Sequence, residues 1–248
     1  MKSIALRFYF AITLIFAFSS AAAERVPAST PQDTTITLAA LQFPPYAYTE
    51  AGSDECVGYT VKLTKMIFNA KGYNVKAICA PAIRVYRMIE SGEVDLTVNI
   101  KSTKLLKDTV DFIEPPFGSL DLIFLSHENE GFENMVSGIR GFDYNGHRQL
   151  LVEQGYTFQD TPGSIDAIKM FMRGRTRHLI TYKAPYRFYL EQNSFDIPKG
   201  VSAKSLMSLP TFFAVSLKSK NKDLIKQVFE EHSEATQATR FDELLPIY

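Results

Sequence analysis

Three aromatic side chains follow the first apolar run of the chain and could hold a small ligand. The run from Thr35 to Leu38 predicts a strand, and Pro44-Pro45 ends it because proline has no backbone N–H to donate to a sheet. Phe43, Tyr46 and Tyr48 stand on the stiff segment around these prolines. Their rings could stack on a ligand or hold an amine by cation–π contact, although aromatic residues also dominate protein cores.

The elements that follow place these aromatic residues at a sheet edge. The chain continues with an amphipathic helix from Gly58 to Gly72, a strand from Tyr73 to Cys79, a helix closed by Ser91-Gly92 and a strand from Val94 to Ile100. Strand–helix units of this length predict a parallel sheet with right-handed crossovers. Small ligands bind at the carboxyl ends of such strands, so the aromatic segment lies at a candidate binding site.

Polar candidates occur at the same edge of the predicted sheet. Arg84 lies near the start of the second helix, where it could bind a ligand carboxylate or be an ordinary solvated residue. Lys101 and Thr103 belong to a donor-rich loop directly after a strand, which suits an anion or a hydroxyl. A lysine at a loop tip is often only solvated, so both interpretations stay open.

The second half of the sequence adds further candidates. Arg140 and Tyr144 precede a short helix, so backbone donors there could meet an anion, or the segment could be an ordinary glycine-containing turn. Thr161 comes just before a predicted helix from Ser164 to Met172, which it could cap with no role in ligand binding. Tyr182 ends a short strand and is the last candidate of this half.

Charge and the amino terminus indicate an exported protein. The 27 basic and 27 acidic residues cancel, which gives no electrostatic argument for binding nucleic acid. Lys2 and Arg7 precede an apolar run from Phe8 to Phe18, and small residues up to Ala23 offer a cleavage site, so residues 1–23 are predicted to be a signal peptide. No cysteine lies near that site, which argues against a lipid anchor. We expect a periplasmic and monomeric protein.

Two cysteines remain in the exported part of the chain. Cys56 and Cys79 each lie near the carboxyl end or following loop of strands of the first sheet, so the two could be close together. An oxidising compartment favours a disulfide between them, and two separate buried thiols are the alternative.

Patterns typical of catalysis are not found in the sequence. The four histidines show no metal-like spacing, and two cysteines do not make a zinc pattern. No nucleophile elbow, P-loop or dinucleotide glycine fingerprint occurs. We therefore expect a binding protein rather than an enzyme, with no catalytic residue, no metal and no cofactor.

The order of elements predicts two similar α/β lobes. A strand from Thr211 to Leu217 can carry the chain back to the first sheet, so the chain crosses between lobes near residues 115–121 and 209–216. The first lobe is predicted to comprise residues 24–116 and 212–248, and the second lobe residues 117–211. Two crossings make a hinge easy to form, and the cleft between lobes is the natural ligand site.

In this ordered set of motifs the chain resembles the bacterial extracellular solute-binding proteins of family 3, which include the amino-acid receptors of ABC importers. The resemblance covers essentially the whole exported chain. The residues that carry it are Phe43-Pro44-Pro45-Tyr46, Val57-Gly58-Tyr59, Arg84, Glu90 to Asp95, Thr103, Val110-Asp111-Phe112, Pro115-Pro116-Phe117, Ile139-Arg140-Gly141, Tyr144 and Gly174-Arg175. It implies the type II periplasmic-binding fold, in which each lobe is a mostly parallel sheet flanked by helices, and it makes Phe117 a ligand-binding candidate.

The chain departs from this family at two anchors for an amino acid. Members usually carry Thr-x-x-Arg after the third strand, and the arginine pairs with the ligand carboxylate; here Leu106 stands at that position. The resemblance also places Tyr182 near the position of the aspartate that holds the ligand ammonium, and Gly174-Arg175-Thr176-Arg177 lacks an aspartate as well. A standard α-amino acid is therefore not the expected ligand.

The resemblance implies closure of two lobes on a small polar organic solute. Delivery to an inner-membrane ABC permease is the leading expectation, and a module that reports ligand occupancy to a membrane sensor is the alternative. A few relatives of the family are dehydratases, which is a third and less favoured possibility. Organic acids, amines, modified amino acids and peptides remain open as ligands.

Overall fold

The computed structural model describes residues 34–50, 52–128, 132–196 and 199–244. The predicted signal peptide and the polar segment that follows it, up to Asp33, lie outside the described residues. None of the helices in the described part of the chain has the length and apolar character needed to cross a membrane.

The first group of elements builds a parallel sheet with helices on its faces. Its elements are β1 (Thr35–Leu41), β2 (Tyr48–Thr49), β3 (Cys56–Val57), α1 (Tyr59–Asn69), β4 (Asn74–Ala80), α2 (Ala82–Ser91), β5 (Leu96–Asn99) and β6 (Val110–Phe112). β1 is the central strand and runs parallel to β4 on one side and to β5 on the other. The carboxyl ends of these strands therefore meet at one edge, as predicted.

The second group repeats this arrangement. Its elements are β7 (Gly118–His127), β8 (Met135–Ile139), α3 (His147–Glu153), β9 (Thr157–Thr161), α4 (Ser164–Met172), β10 (His178–Tyr182) and α5 (Lys183–Gln192). β8 runs parallel to β9 and to β10, whereas β7 pairs antiparallel with β10. The sheet is thus parallel where β8, β9 and β10 meet and antiparallel at β7.

One long strand joins the two sheets. β11 (Val201–Ser216) pairs antiparallel with β7 from Val201 to Thr211, and then with β5 and β6 from Phe212 to Ser216. Helix α6 (Lys222–Thr236) follows and packs against α1. The strands follow the order β4-β1-β5-β11-β7-β10-β8-β9, with β6 also bonded to β11.

Apolar side chains fill both faces of each sheet. Between the first sheet and helices α1 and α6, Phe68, Phe213 and Phe229 are fully buried, and the Phe68 and Phe229 ring centroids lie 5.3 Å apart. Helix α2 covers the opposite face with Val85, Met88 and Ile89. In the second sheet, α4 and α5 cover one face, and the other face continues into the aromatic residues of the site.

Buried polar groups of the first sheet converge on one carboxylate. The backbone N–H and the hydroxyl of Thr37 both donate to Oδ2 of Asp95 at 2.7 Å. The Ser219 hydroxyl donates to Oδ1 at 2.5 Å, and the Asn221 side-chain amide donates to the same atom at 3.2 Å. Asp95 thereby ties β1 to the turn before α6, and it carries a hydrogen bond on each oxygen despite its 6% exposure.

The aromatic segment after β1 is held by the first turn of α1. The backbone N–H groups of Tyr59 and Thr60 donate to the carbonyls of Pro45 and Tyr46 at 3.2 and 2.9 Å. Gly58 has a φ of +119°, and a Cβ at this position would lie 2.5 Å from the Tyr46 carbonyl oxygen. Only glycine permits this close crossing of the two segments. The Cys56–Cys79 disulfide, with a Cα–Cα distance of 5.1 Å, joins β3 to β4 close by.

The structure corrects two of the predicted elements. The composition around Gly138 to Gly146 predicts a turn-rich region, but residues 135–139 form the strand β8, in which Gly138 lies against the Tyr144 hydroxyl and the Phe158 ring. β11 begins at Val201 rather than at Thr211. The sequence did not indicate its first ten residues as a strand, because they are largely exposed and their apolar residues do not alternate. Their pairing with β7 stabilises a segment whose own pattern is that of a loop.

Candidate functional site

The site is a cavity of about 400 Å³ between the edges of the two sheets. One wall comes from the carboxyl ends of β1 and β5, including Leu41 and Asn99, together with Tyr86 on α2. The facing wall comes from residues 140–144 after β8 and from Tyr182 at the end of β10. The cavity therefore occupies the position at which open α/β sheets bind small ligands, and its volume falls in the range of small-molecule sites.

Aromatic rings dominate the cavity wall. Seven aromatic side chains of the described residues line it, namely Phe43, Tyr46, Tyr86, Phe117, Phe142, Tyr144 and Tyr182. Six of these rings form a continuous series of neighbours, with successive ring centroids 5.3–6.2 Å apart, in the order Phe117, Tyr46, Phe43, Tyr182, Tyr144 and Phe142. The series passes from one wall to the other through the contact between Phe43 and Tyr182.

Several polar side chains of the wall are hydrogen-bonded within the protein. Oδ1 of Asn99 accepts hydrogen bonds from the Thr103 hydroxyl at 2.6 Å and from the Ile100 N–H at 2.9 Å, and its amide donates to the Tyr86 hydroxyl at 3.3 Å. The Thr211 hydroxyl donates to the Gly118 carbonyl at 3.2 Å. These groups shape the wall and leave little hydrogen-bonding capacity for a ligand.

Tyrosine hydroxyls supply most of the remaining polarity. Burial raises the pKa of Tyr182 above its ordinary value of 10.0, and burial does the same for Tyr144, whose hydroxyl accepts the Ile139 N–H at 2.5 Å. Burial, followed by the nearby carboxylates of Asp242 and Asp121, raises the pKa of Tyr46 to about 12. All three phenols are neutral at physiological pH and can donate a hydrogen bond.

Tyr46 also lines a second, smaller pocket. This pocket has a volume of about 200 Å³, and its other lining residues are Ser119, Asp121, Lys183, Ala184 and Arg187. The smaller pocket is lined mainly by polar residues and the main cavity mainly by aromatic residues, so Tyr46 separates a polar pocket from an aromatic one.

Charged side chains of the main cavity stand at its mouth. Lys104, Arg140 and Asp143 are the charged residues among those that line it, and all three are exposed. The Asp143 carboxylate accepts the Gly146 N–H at 2.9 Å. The mouth thus carries two cations and one carboxylate that is already hydrogen-bonded.

The structure brings most of the sequence candidates together. Those that line the cavity are Phe43, Tyr46, Thr103, Phe117, Arg140, Tyr144 and Tyr182. They come from five separate loops or strand ends, which only the fold brings close together. Their contact with a ligand stays a prediction.

Four other candidates do not line this cavity. Tyr48 packs on Phe188, with ring centroids 5.4 Å apart, and Arg84 is exposed on α2. Lys101 forms an ion pair with Glu114 at 2.5 Å and lies over the Phe212 ring. Thr161 is buried, and its hydroxyl donates to the Gly138 carbonyl at 3.1 Å and to the Gly163 carbonyl at 3.0 Å. The capping alternative is wrong, because helix α4 has no side-chain cap hydrogen bond.

Four residues that line the cavity were not among the candidates from the sequence: Tyr86, Asn99, and Lys104 and Asp143 at the mouth. Ile83 and Tyr86 both line the cavity, because residues three apart lie on the same face of a helix. Arg84 is not among the lining residues. The helical phase set by buried Val85 and Met88 was a usable signal for this face of α2. Nothing in the sequence distinguished Asn99 from other strand-end polar residues.

The two departures from the family's anchors have different structural outcomes. Leu106 is 1% exposed and packs in the core under α2, so it does not reach the cavity, although Lys104 and Leu105 do. Tyr182 does line the cavity, and its correspondence to the ammonium-binding aspartate stays a prediction.

Comparison with known families identifies the class of protein. The sequence model of bacterial extracellular solute-binding proteins, family 3, matches residues 36–247. The chain belongs to this family. No curated protein sequence matches it significantly.

Solved structures share the fold at low sequence identity. A structure from work on glutathione import in Gram-positive bacteria via GshT and the cystine ABC importer TcyBC of Streptococcus mutans is 17% identical with a TM-score of 0.69, covering 86% of this chain and 93% of that chain. An ancestral arginine-binding protein bound to arginine is 20% identical with a TM-score of 0.67, covering 84% and 95%. A histidine kinase sensor domain with similarity to periplasmic binding proteins is 18% identical with a TM-score of 0.64, covering 82% and 92%. The chain has the two-lobed α/β fold of these proteins.

Proposed function

We propose that this protein binds a small organic solute in the aromatic cavity and delivers it to an inner-membrane ABC permease from the periplasm. The observation that carries the proposal is the cavity itself, because its walls come from both sheets and one ligand can therefore contact both. Membership in a family of extracellular solute-binding proteins supports the same role.

Closure of two lobes is the proposed mechanism. We assign residues 24–116 and 212–248 to one lobe and residues 117–211 to the other, because β11 changes partners between Thr211 and Phe212. A ligand that touches both lobes binds the closed arrangement more tightly than the open one, and only this difference can shift the equilibrium.

We take the contacts that cross the cavity as those of the closed arrangement. Phe43, from the first wall, is 8% exposed and packs with Tyr182 and Leu122 of the second sheet. At the mouth, the Ser102 hydroxyl donates to the Asn145 side chain at 2.9 Å. Opening must separate these pairs.

Thermal unfolding of the purified protein against a panel of organic acids, amines, amino acids, peptides and sugars tests the proposal. A ligand at about 100 times its dissociation constant should stabilise the protein by roughly 2.7 kcal/mol, which is a rise of several degrees in a protein of this size. No response across the panel would contradict solute binding. Mass spectrometry of the recovered ligand should show it unchanged, since the proposal includes no reaction.

A pair of tryptophan variants locates the binding site. Thr103→Trp puts a bulky ring on the cavity wall and should abolish the stabilisation by ligand. Lys107→Trp changes an exposed residue of the same segment outside the lining and should leave it intact. Equal responses from the two variants would place the ligand elsewhere.

Sensing is the second candidate function, because a histidine kinase sensor domain shares the fold. Deletion of the gene separates the two roles. Loss of uptake of the labelled ligand supports import, whereas unchanged uptake with loss of the transcriptional response to the ligand supports sensing through a membrane partner.

A further inference from the structure

We propose that the solute is an aromatic monocarboxylate whose ring lies in the cavity and whose carboxylate lies at the mouth beside Arg140 and Lys104. In this arrangement the ligand needs no ammonium group. The inference rests on the solute-binding function proposed above and narrows its ligand class.

The wall favours a flat apolar body. Six rings from two sheets follow one another at centroid distances of 5.3–6.2 Å, and the Tyr86 ring adds a seventh aromatic surface from α2. Aromatic pairs of this kind are worth more than their buried area alone. A ligand ring extends the series, whereas a sugar or a short polar chain would leave ring faces without a matching partner.

The interior offers no charge to balance a buried ammonium. Among the described residues that line the cavity, the buried members are neutral, and the charged members are the three exposed ones at the mouth. The Asn99 and Thr211 side chains are engaged in bonds within the protein. An ammonium placed among these groups would lose its hydration without a carboxylate to replace it.

The mouth favours a negative charge. Within the described part of the chain, neither Arg140 nor Lys104 forms an ion pair, whereas Arg148 pairs with Asp160 at 2.8 Å. Asp143 is the facing carboxylate, and it already accepts a backbone N–H from Gly146. The mouth therefore carries a net positive charge, because it has two cations without ion pairs and one carboxylate that is already hydrogen-bonded. The guanidinium of an arginine can also bind a carboxylate with two hydrogen bonds.

A quaternary ammonium is the competing chemistry, because aromatic faces also bind cations. The two cations at the mouth repel such a ligand as it enters. We therefore take the anion as the ligand and make the cation an outcome of the test.

Calorimetric titration of the protein without residues 1–23, the predicted signal peptide, tests the proposal with a series of matched compounds. The series is 3-phenylpropionate, L-phenylalanine, 2-phenylethylamine, 3-phenylpropanamide and choline. 3-Phenylpropionate should bind at least about ten-fold more tightly than the amine, the amide and choline, which lack the carboxylate, since a hydrogen bond to a charged group is worth that much. It should also bind at least about ten-fold more tightly than L-phenylalanine, because the ammonium of that ligand would lose its hydration without a carboxylate to replace it. Binding of L-phenylalanine, the amine or choline as tightly as the acid would overturn the proposal.

Two arginine variants locate the carboxylate. Arg140→Gln should weaken 3-phenylpropionate about ten-fold or more and leave the amide within about two-fold, because only the acid loses a charge partner. Arg84→Gln removes an exposed arginine outside the lining and should change neither ligand. Equal weakening of acid and amide by Arg140→Gln would contradict a carboxylate at that residue.

The wider ligand panel separates this inference from the proposed function. A ligand of another class that binds while the aromatic acids do not would overturn the ligand class and leave solute binding in place. If no compound of either panel binds, both the aromatic-acid ligand class and the proposed solute binding are contradicted.

Discussion

The Asp95 network and the cavity wall bury polar groups in opposite ways. Asp95 is buried in the core, and its two carboxyl oxygens accept four hydrogen bonds from Thr37, Ser219 and Asn221. The cavity wall buries only neutral groups and leaves tyrosine hydroxyls such as that of Tyr182 without a partner among the described residues. A carboxyl group whose oxygens are all hydrogen-bonded serves stability, whereas a neutral surface with unpaired hydroxyls can accept a ligand.

The largest expected effect is on the Asp95 side of this comparison. Asp95→Asn keeps the shape but turns an acceptor into an amide donor that faces N–H and O–H groups, so hydrogen bonds are lost and donors are left unpaired. We expect a loss of about 3 kcal/mol in the free energy of unfolding, measured with urea. Asp54→Asn, at an exposed aspartate, should change it by less than about 0.5 kcal/mol. A similar small change at Asp95 would contradict the role of the network.

The next largest effect concerns alkaline pH. Burial raises the folded-state pKa of Tyr46 from 10.0 to about 12, so the unfolded state loses this proton first as pH rises. The corresponding stabilisation is fully present below pH 10 and is lost as pH rises towards 12. Two pKa units correspond to about 2.7 kcal/mol.

Tyr46→Phe isolates this contribution. Urea unfolding at a series of alkaline pH values should give a shallower decline for the variant than for the unchanged protein. Parallel declines would contradict the raised pKa, because the remaining tyrosines are the same in both proteins.

A smaller effect is expected where the wall bonds to itself. Thr103→Val removes the hydroxyl that donates to Asn99, but Asn99 keeps the Ile100 N–H as a donor to the same oxygen. We expect a loss of about 1 kcal/mol in the free energy of unfolding. Thr157→Val, on the exposed side of β9, is the matched control and should be nearly neutral. A loss as large as that of Asp95→Asn would erase the difference between the two regions.

The smallest effect is expected at the mouth of the cavity. Ser102 and Asn145 are exposed, and their hydrogen bond competes with water. A double-mutant cycle of Ser102→Ala and Asn145→Ala should give a coupling free energy below about 0.5 kcal/mol. A coupling several times larger would mean that this contact, rather than the Phe43 packing, holds the walls together.

The sequence predicted those parts of the fold in which burial follows a regular period. The helix predicted from Ser164 to Met172 coincides with α4, and the first helix ends within a few residues of its predicted limit. β8 and the first part of β11 could not be predicted, because a strand glycine and an exposed polar strand acquire their structure from partners distant in sequence.

The candidate site shows the same division. Residues in loops directly after strands, such as Tyr46, Thr103 and Arg140, were found because strand ends converge in an α/β sheet. The neutral wall was not foreseen, since it depends on which hydroxyls and amides bond to one another once the chain has folded. The pairing of Thr103 with Asn99 is one such case.

The passage of β11 through both sheets limits how the molecule can move. Apart from an irregularity at Leu206, it pairs with β7 as far as Thr211 and with β5 and β6 from Phe212 to Ser216, so no unpaired residue separates the two sets. Movement of the two lobes apart must therefore bend a continuous paired strand and cannot occur by rotation about an unpaired loop in β11. We expect slow amide hydrogen exchange along Phe212–Ser216 even in the absence of ligand, while the Ser102 segment exchanges quickly and slows when the cavity is filled.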